Sequence, residues 1–354
     1  MRATRLPLLL LLFSSFTEAQ WWRVQSSGLD SNLRGVSSVY APNAKGAPIP
    51  VVWASGSNGV ILKSLDEGKT WKRLQVADAD KLDFRGIVAF DAKIAYVMSS
   101  GEGEKSRIYK TADGGETWKL QFTGERKEFF LDSIACLSEL HCLALSDPVD
   151  GKFFLLATSD GEHWNPLSND KMPVALPAEG AFAASNTCLA LSGDEIFFGT
   201  GGPAARVFHS GDSGLTWTVS ETPIAHGNAS SGIFSVAATN AKQVVVVGGD
   251  YKDPKRASDV AAYSKDGGKS WQLSKQQPGG YRSAVACDDD LLCVSIGPNG
   301  EDVSMRDASG AGWKPTDALN LNAVTILDFQ HGWAVGPKGT IASFSNQVKF
   351  EIQN

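Results

Sequence analysis

The sequence predicts an all-β protein, a seven-bladed β-propeller of four-stranded antiparallel blades, and three observations support this. A short phrase of the form Ser/Thr-x-Asp-x-Gly-x-Thr/Ser-Trp recurs at a nearly even spacing along the 354 residues. Each period contains short runs rich in Val, Ile and aromatic residues, separated by Gly, Ser, Asn and Asp, which is typical of strands and turns. No segment keeps a 3.6-residue apolar period over the dozen residues that would indicate a helix.

The recurring phrase, which we call the box, sets the length of the repeat. Its aspartates are separated by 47, 47, 52, 54 and 41 residues, and a tryptophan follows each of them. Four short strands in a period of about 45 residues correspond to one propeller blade. The box aspartates are Asp66, Asp113, Asp160, Asp212, Asp266 and, in a degenerate sixth copy, Asp307.

The first period shows the four strands in order. They are "RGVSSVY", "VVWASG", "GVILKS" and "WKRLQ", with the box between the third and the fourth. Asp and Gly are expected there, since Asp accepts hydrogen bonds from nearby backbone N–H groups and Gly adopts positive φ. Six copies spread around a ring do not converge on one site, so we interpret the box as a structural turn.

A seventh blade begins at "LNAVTILDF" and continues through "HGWAVGPKGTIASFS", but no box follows it. Its outer strand is therefore expected from elsewhere. The segment "WWRVQ" near the N-terminus matches "WKRLQ" of the first blade, so residues 21–26 are predicted to close the ring and protect its edges. The alternative is that "VKFEIQ", residues 348–353, fills the same place.

The first 19 residues have the three-part pattern of a secretory signal peptide. Arg2 and Arg5 precede an apolar run, and Thr17-Glu18-Ala19 gives a small-x-small ending. We expect residues 1–19 to be removed and residues 20–354 to form a single propeller that is exported to the periplasm or the extracellular space. No later segment has the roughly 20 apolar residues of a membrane-spanning helix.

The charge of the chain argues against nucleic-acid binding. The formal net charge is −6, and loss of residues 1–19 removes two arginines and one glutamate, which leaves about −7. An acidic surface does not favour nucleic acids or anionic membranes.

Two pairs of cysteines share one spacing and one position in their repeats, "CLSELHC" and "CDDDLLC". A hairpin between the first and second strands brings such positions opposite each other, so we predict disulfides Cys136–Cys142 and Cys287–Cys293. Ordinary buried thiols are the alternative. Cys188 has no cysteine at the matching spacing to form a disulfide with, and it is expected to be a small core residue.

The boxes resemble Asp-box repeats, also called bacterial neuraminidase repeats. Within that group, the phrase "LRGV…VVWASGSNGVILKSLDEGKTW" and the repeat spacing are similar to photosystem II stability/assembly-factor-like propellers. The segments "SDPVDG", "GTGG" and "VVVGGDY" resemble exported, non-photosynthetic members. The resemblance implies a scaffold that binds protein subunits through basic residues on one face.

A carbohydrate-active hydrolase, sialidase-like or otherwise, remains the alternative function. Sialidases carry a Phe/Tyr-Arg-Ile-Pro stretch, and the nearest sequences here are "LRGV" and "FRGI". A glycosidase needs two carboxylates across a cleft, for which Asp147, Asp150 and Asp250 are candidates. We assign no catalytic residue, and the histidines and cysteines show no metal or cofactor motif.

The candidate binding face is the one opposite the boxes, formed by the turns between strands two and three and between strands four and one. Arginines recur there at the start of the first strand, and longer loops supply further polar groups. Guanidinium groups bind carboxylate or phosphate in a bidentate manner; the alternative is that each pairs with an acid of a neighbouring blade. The candidate residues are Arg34, Arg85, Arg282, Asp147, Asp250, Tyr251 and Lys252.

We therefore predict an exported scaffold that binds a protein, a peptide or a small anionic ligand on this face. An envelope or membrane protein is a possible partner, and an assembly or stability role follows from the resemblance. The sequence does not indicate the oligomeric state.

Overall fold

Seven antiparallel sheets make up the structure, a computed structural model that describes residues 22–43, 45–288, 292–305 and 312–345. The sheets are arranged as the blades of a β-propeller, which confirms the predicted fold. The signal peptide at 1–19, the degenerate box aspartate Asp307 and the alternative closing strand at 348–353 lie outside the described residues.

The strands are numbered along the chain, beginning with β1 (Arg23–Ser26). Blade one contains β2 (Leu33–Pro42), β3 (Pro48–Gly56), β4 (Ile61–Ser64) and β5 (Lys72–Leu74). Blade two contains β6 (Asp83–Ala89), β7 (Ala95–Ser100), β8 (Arg107–Thr111) and β9 (Lys119–Thr123). Blade three contains β10 (Leu131–Cys136), β11 (Cys142–Val149), β12 (Lys152–Thr158) and β13 (Asn165–Pro166).

The numbering continues through the other half of the ring. Blade four contains β14 (Leu189–Ser192), β15 (Glu195–Gly199), β17 (Arg206–Ser210) and β18 (Thr218–Glu221). Blade five contains β16 (Gly201–Gly202), β19 (Asn228–Ala238), β20 (Val244–Asp250), β21 (Ala261–Ser264) and β22 (Gln272–Leu273). Blade six contains β23 (Ala284–Cys287), β24 (Leu292–Gly297), β25 (Gly300–Met305) and β26 (Lys314–Asp317). Blade seven contains β27 (Ala323–Asp328), β28 (His331–Val335), β29 (Thr340–Ser345) and β1.

The first strand of each blade lines the centre of the ring. Strands β2, β6, β10, β14, β19, β23 and β27 each contact the first strand of the next blade, and β27 contacts β2 to complete the circle. The fourth position of blade seven is filled by β1, whose Arg23–Ser26 pair with Thr340–Ser343 of β29. The prediction that the N-terminal segment closes the ring is therefore confirmed.

The boxes form the turns between the third and fourth strands, as predicted. In the first box, Asp66 accepts the backbone N–H and the hydroxyl of Thr70 at 2.8 and 2.7 Å, while Ser64 Oγ accepts the Gly68 N–H at 2.8 Å. The Trp71 indole donates to Gly68 O. The same side-chain bonds recur around Asp113, Asp212 and Asp266. The box is thus a self-contained, hydrogen-bonded turn.

The box turns also connect neighbouring blades. Lys63 of blade one donates to the box carbonyl of Gly114 in blade two, and Lys110 of blade two donates to that of Gly161 in blade three at 2.9 Å. Ser220 of blade four donates to Gly268 O of blade five at 2.7 Å. At these three junctions a glycine carbonyl of the box is therefore an acceptor for the preceding blade.

Both predicted disulfides are present. Cys136 is bonded to Cys142 and Cys287 to Cys293, and in each case the two residues are directly opposite in the pairing of the first and second strands. Cys188 is a free, buried thiol within an apolar cluster.

The described helices are two short 3-10 turns, Gly103–Lys105 and Pro337–Gly339. Neither has the length or the apolar character that crossing a bilayer requires.

Replacement of Trp22 tests the closing strand. Its indole is 1% exposed, packs edge to face on Phe344 at 5.0 Å and belongs to the apolar cluster between blades six and seven. We expect Trp22→Ala to lower the free energy of unfolding by about 3–5 kcal/mol, the usual cost of truncating a buried aromatic residue. Urea denaturation would measure this. Val24→Ala, on the same strand but 54% exposed, is the control, and equal effects of the two changes would contradict the assignment.

A change of the box aspartate tests the turn through its pH dependence. Hydrogen bonds from the Thr117 hydroxyl and backbone lower the pKa of Asp113 to about 2. A carboxylate whose pKa falls on folding stabilises the native state above its unfolded pKa of about 4, and that stability is lost as pH falls towards 2.

We therefore expect Asp113→Asn to lower the thermal midpoint at pH 7 and to differ progressively less from the parent protein between pH 4 and pH 2. Glu125→Gln, which neutralises an exposed carboxylate in a connection between blades, is the control. A difference that is independent of pH would refute this role of the carboxylate.

Candidate functional site

The face opposite the boxes carries four side chains that strand irregularities place in equivalent positions. Antiparallel pairing of the first and second strands is interrupted between Leu33 and Gly35, with matching interruptions in blades two, three and five. The extra residue of a β-bulge is unpaired and its side chain is redirected. The four bulge residues, which we call the bulge set, are Arg34, Arg85, Asp132 and Phe234.

A segment between blades three and four, residues 182–187, extends across the centre of this face. The Phe182 ring stacks on Phe234 of blade five, with ring centroids 3.8 Å apart. The backbone carbonyl of Ala183 accepts a hydrogen bond from Arg85 of blade two at 3.0 Å. Ser185 donates to the carbonyl of Ser283, which precedes the first strand of blade six, at 2.7 Å.

The same segment is held by two further contacts. The Asn186 side chain makes paired hydrogen bonds to the backbone of Ile134 in blade three, at 2.8 and 3.0 Å. The Thr187 hydroxyl contacts that of Ser235 in blade five at 2.7 Å. Because blades two, three, five and six surround the channel, the segment spans the channel and forms the floor of the site.

Gly201 and Gly232 make room for this segment. The two residues pair between β16 and β19, and a Cβ on Gly201 would lie 2.4 Å from the Phe182 ring and 2.9 Å from Gly232 Cα. A side chain at Gly201 would therefore displace Phe182 from its stack.

The two arginines of the bulge set lie close together. Arg85 forms an ion pair with Asp83, Nε to Oδ2 at 2.7 Å, and remains partly exposed. Arg34 is half-buried, and its Nε has no acceptor among the described residues. Burial lowers the pKa of Arg34, and the charge of Arg85 lowers it further, against opposing effects of Asp83 and Tyr281. This pair of guanidinium groups would be stabilised by an anion.

An acidic pair adjoins the arginines. Asp132 is 1% exposed, and neither carboxyl oxygen has a well-formed hydrogen bond from a described residue. Burial raises its pKa well above the usual value, and the charge of Asp147 raises it further. The charge of Arg85 and the nearby backbone N–H of Asp147 act in the opposite direction. Burial also raises the pKa of Asp147 to about 6, against a hydrogen bond from the Ala181 N–H at 2.9 Å.

Aromatic side chains line another side of the site. Phe234 contacts Tyr251 and Tyr281 edge to face, with centroids 6.1 and 4.7 Å apart. Tyr281 is buried, whereas Tyr251 is 48% exposed. Phe234 is also buried, at 3% exposed, so the apolar surface beside the arginines comes from the partly exposed Phe182 and from Tyr251, with Phe234 packed against both. Such a surface suits an aromatic or aliphatic group of a ligand.

Arg282 does not share this setting, which corrects the expectation that it points to the channel mouth. Its side chain is 1% exposed and forms an ion pair with Asp302 of its own blade, with the Nε donating at 2.7 Å. Its Nη1 donates to Tyr281 O. The guanidinium therefore serves packing within blade six, as the alternative interpretation held, although the acid belongs to the same blade and not to a neighbour.

Asp250 and Asp150 hold turns. Asp250 accepts the Asn228 amide at 3.0 Å and the Lys252 N–H at 2.9 Å. Burial alone would raise its pKa, but hydrogen bonds from Ser230, Lys252 and Asn228 outweigh this and lower it. Asp150 is exposed and makes a bidentate pair with Arg126, at 2.8 and 3.1 Å. Lys252 is exposed.

The site combines two guanidinium groups, two buried carboxyl groups and a cluster of aromatic rings. In the described ranges, no group of three His, Cys, Asp or Glu side chains is placed to hold a metal ion. Of the residues that the sequence predicts for binding, the structure brings Arg34, Arg85, Asp147 and Tyr251 into this region, and their role in binding stays a prediction. Asp132, Phe182 and Phe234 also lie here and were not predicted. A signal existed for Asp132, because "LDSI" occupies the place of "LRGV" and "FRGI" in the repeat.

Comparisons with known proteins agree with this architecture. The family model for photosynthesis system II assembly factor YCF48 matches residues 50–280. A solved structure of YCF48 bound to D1 peptide has 15% sequence identity and a TM-score of 0.59, and the match covers 92% of this chain and 97% of that one. YCF48 from Cyanidioschyzon merolae has 16% identity and a TM-score of 0.62, with coverage of 92% and 98%.

A computationally designed protein, Ika8, is also similar, with 12% identity, a TM-score of 0.53 and coverage of 90% and 97%. No curated protein matches the chain. At these identities the solved structures support the fold alone.

The buried Arg282–Asp302 pair gives a test of the correction above. We expect Arg282→Ala to lower the free energy of unfolding by about 3–5 kcal/mol, because it leaves the Asp302 carboxylate enclosed without its counter-charge. Arg282→Met combined with Asp302→Leu removes both charges and should be less destabilising. Chemical denaturation would measure both variants, and an effect of Arg282→Ala below about 1 kcal/mol would contradict a structural role.

Proposed function

Because the chain belongs to the family of photosynthesis system II assembly factor YCF48, we propose that it is an exported propeller scaffold that binds a peptide segment of a protein partner. The binding surface is the face opposite the boxes, around the bulge set. The partner segment carries a carboxylate, either an acidic side chain or its own C-terminus. Binding would assist the assembly or the stability of that partner.

The observation that carries the proposal is the proximity of Arg34 and Arg85. Two guanidinium groups lie within electrostatic reach of each other, and the Arg34 Nε lacks an acceptor in the described part of the chain. A bound carboxylate would satisfy such a donor and offset the repulsion between the two cations.

A peptide is favoured over a small anion by the rest of the surface. Phe182 and Tyr251, which pack on the buried Phe234, lie beside the arginines and would cover an apolar side chain. Interfaces commonly combine such aromatic anchors with Arg. The solved relative, YCF48 bound to D1 peptide, supports a peptide as the class of ligand.

The compartment is part of the proposal. Residues 1–19 have the pattern of a secretory signal peptide, and the two disulfides support export because cytosolic thiols are kept reduced. An envelope or membrane protein is the partner that fits an exported assembly factor.

The hydrolase alternative is less well supported. Asp147 has the raised pKa of a general acid, but the other two candidates, Asp150 and Asp250, have lowered pKa values and hold turns. Assays on sialosides and aryl glycosides remain the direct test, and turnover lost on changing Asp147 would favour this alternative.

Peptide selection tests the proposed function. The full chain without residues 1–19 would be immobilised and exposed to a library of random linear peptides with free carboxyl termini. We expect enrichment of carboxylate-bearing sequences, and Arg34→Ala/Arg85→Ala should weaken the enriched peptides about tenfold or more, as measured by fluorescence anisotropy. Charge-assisted hydrogen bonds of about 1.5–3 kcal/mol each account for this size of effect.

The matched control is Arg23→Ala/Arg73→Ala, which removes two exposed arginines from outer strands and so makes the same change in net charge. Equal weakening by both double variants would show a long-range charge effect in place of a site. Absence of any enriched peptide would refute the proposal.

A further inference from the structure

We propose that a groove next to the arginines, built around Asp147, binds a lysine or arginine side chain of the same peptide partner. The inference rests on the proposed function and deepens it, since it gives the partner segment a second required feature. The peptide would then present a carboxylate to Arg34 and Arg85 and a basic side chain to Asp147. We call this cavity the Asp147 groove.

The groove is an open cavity of about 570 Å³ at the junction of blade three and the connection that follows it. Its walls combine three carboxylates with short apolar side chains. The lining residues are Glu128, Asp147, Pro148, Gly151, Ala175, Leu176, Pro177, Ala178 and Glu179. A basic side chain suits such a cavity, because its methylene stem packs on apolar walls while its charged end reaches an acid.

Asp147 can accept a cation. Its Oδ1 accepts the backbone N–H of Ala181, while its Oδ2 accepts no hydrogen bond from the described part of the chain. The side chain is largely enclosed, so that an ion pair formed there would be screened less than one on the open surface. Burial with so few hydrogen bonds disfavours the carboxylate, and a cation would relieve this.

The fully buried Asp132 provides a second, independent indication of a missing cation. Neither of its oxygens has a well-formed hydrogen bond from a described residue, and Asp147 has the largest effect of any charged group on its pKa. Two adjacent carboxyl groups whose one well-formed hydrogen bond is that from the Ala181 N–H to Asp147 are unusual in a protein interior, where buried polar groups are normally satisfied. A ligand ammonium or guanidinium beside Asp147 would supply the absent positive charge.

The cations near the groove are already paired. Arg126 at the rim makes a bidentate pair with Asp150 and a longer contact of 3.5 Å with Glu128. Arg206 is buried against Glu179, whose carboxylate also accepts the Leu176 N–H at 2.8 Å. This second pair fixes the apolar wall, and no cation of the described residues forms an ion pair with Asp147.

The two subsites are adjacent. Asp132 interacts electrostatically with both Asp147 and Arg85, and the Ala181–Ala183 segment contacts both Asp147 and Arg85 through its backbone. A short peptide can therefore reach the arginines and the Asp147 groove at once. Recognition of two opposite charges at a fixed separation gives more specificity than either charge alone.

The experiment uses the peptide library described above on three forms of the chain without residues 1–19: the parent protein, Asp147→Asn and Asp150→Asn. Asn keeps the oxygen that accepts the Ala181 N–H, so Asp147→Asn should fold, and thermal unfolding would confirm this. Asp150→Asn makes the same change in charge one turn away, without a side chain in the groove. We expect the parent protein and Asp150→Asn to enrich peptides with Lys or Arg, and Asp147→Asn not to.

The best lysine-containing peptide would then be compared with its lysine-to-norleucine analogue, which keeps the stem and removes the charge. We expect this change to weaken binding to the parent protein about tenfold and to have little effect on Asp147→Asn. Equal losses on both proteins, or enrichment of peptides without a basic residue, would overturn the groove while leaving the arginine site intact. A library that enriches nothing would overturn both, and a loss that depends on Asp147 but not on Arg34 and Arg85 would overturn the arginine site alone.

Discussion

The hydrogen-bonded turn of the box is the constraint on which the rest of the structure depends, and at three blade junctions it also accepts a hydrogen bond from the preceding blade. A propeller blade is a small sheet with two exposed edges and cannot be stable alone. Within the box, the side chains of Asp and of Ser or Thr accept hydrogen bonds from the backbone N–H groups of a tight turn. The turn then leaves a glycine carbonyl, such as Gly114 O or Gly161 O, as the acceptor for a lysine of the preceding blade. One motif therefore both ends a sheet and positions the next one.

The candidate binding face differs from the box face, because there the repeat varies from blade to blade. The first strands carry bulges, and the side chains at the bulges differ from blade to blade: two arginines, an aspartate and a phenylalanine. The backbone repeats from blade to blade, but the side chain at the bulge changes. Chemically different groups are therefore placed around one axis. The channel-spanning segment, residues 182–187, closes the bottom of this site. Its backbone and side chains are bonded to blades two, three, five and six.

The sequence was most informative where structure is local or periodic. The box spacing predicts the blades, "WWRVQ" predicts the closing strand, and the common spacing of the cysteines predicts both disulfides. Repeat position also predicts that Arg34 and Arg85 occupy equivalent places, which their matching bulges confirm. Repeat position fails for Arg282, because the direction of that side chain depends on its ion pair with Asp302 in another strand. A signal existed there too, since "GPNGED" puts Glu301 and Asp302 where "GSNGVI" has Val60 and Ile61, and acids at core positions indicate a buried partner. Residues 182–187 have no periodic pattern, so their course across the channel was not predictable.

The closing strand has a consequence for the order in which the protein folds. Gln25 and Ser343 touch across a separation of 318 residues, so blade seven can be completed only when two segments far apart in the sequence meet. The other blades form from largely contiguous sequence, whereas ring closure is a non-local step with a large loop entropy. Until that step the outer edge of β29 has no partner strand, and such open edges are the surfaces that pair with other chains. A protein proposed to assist the assembly of others is thus itself most exposed to misassembly until its own ring has closed.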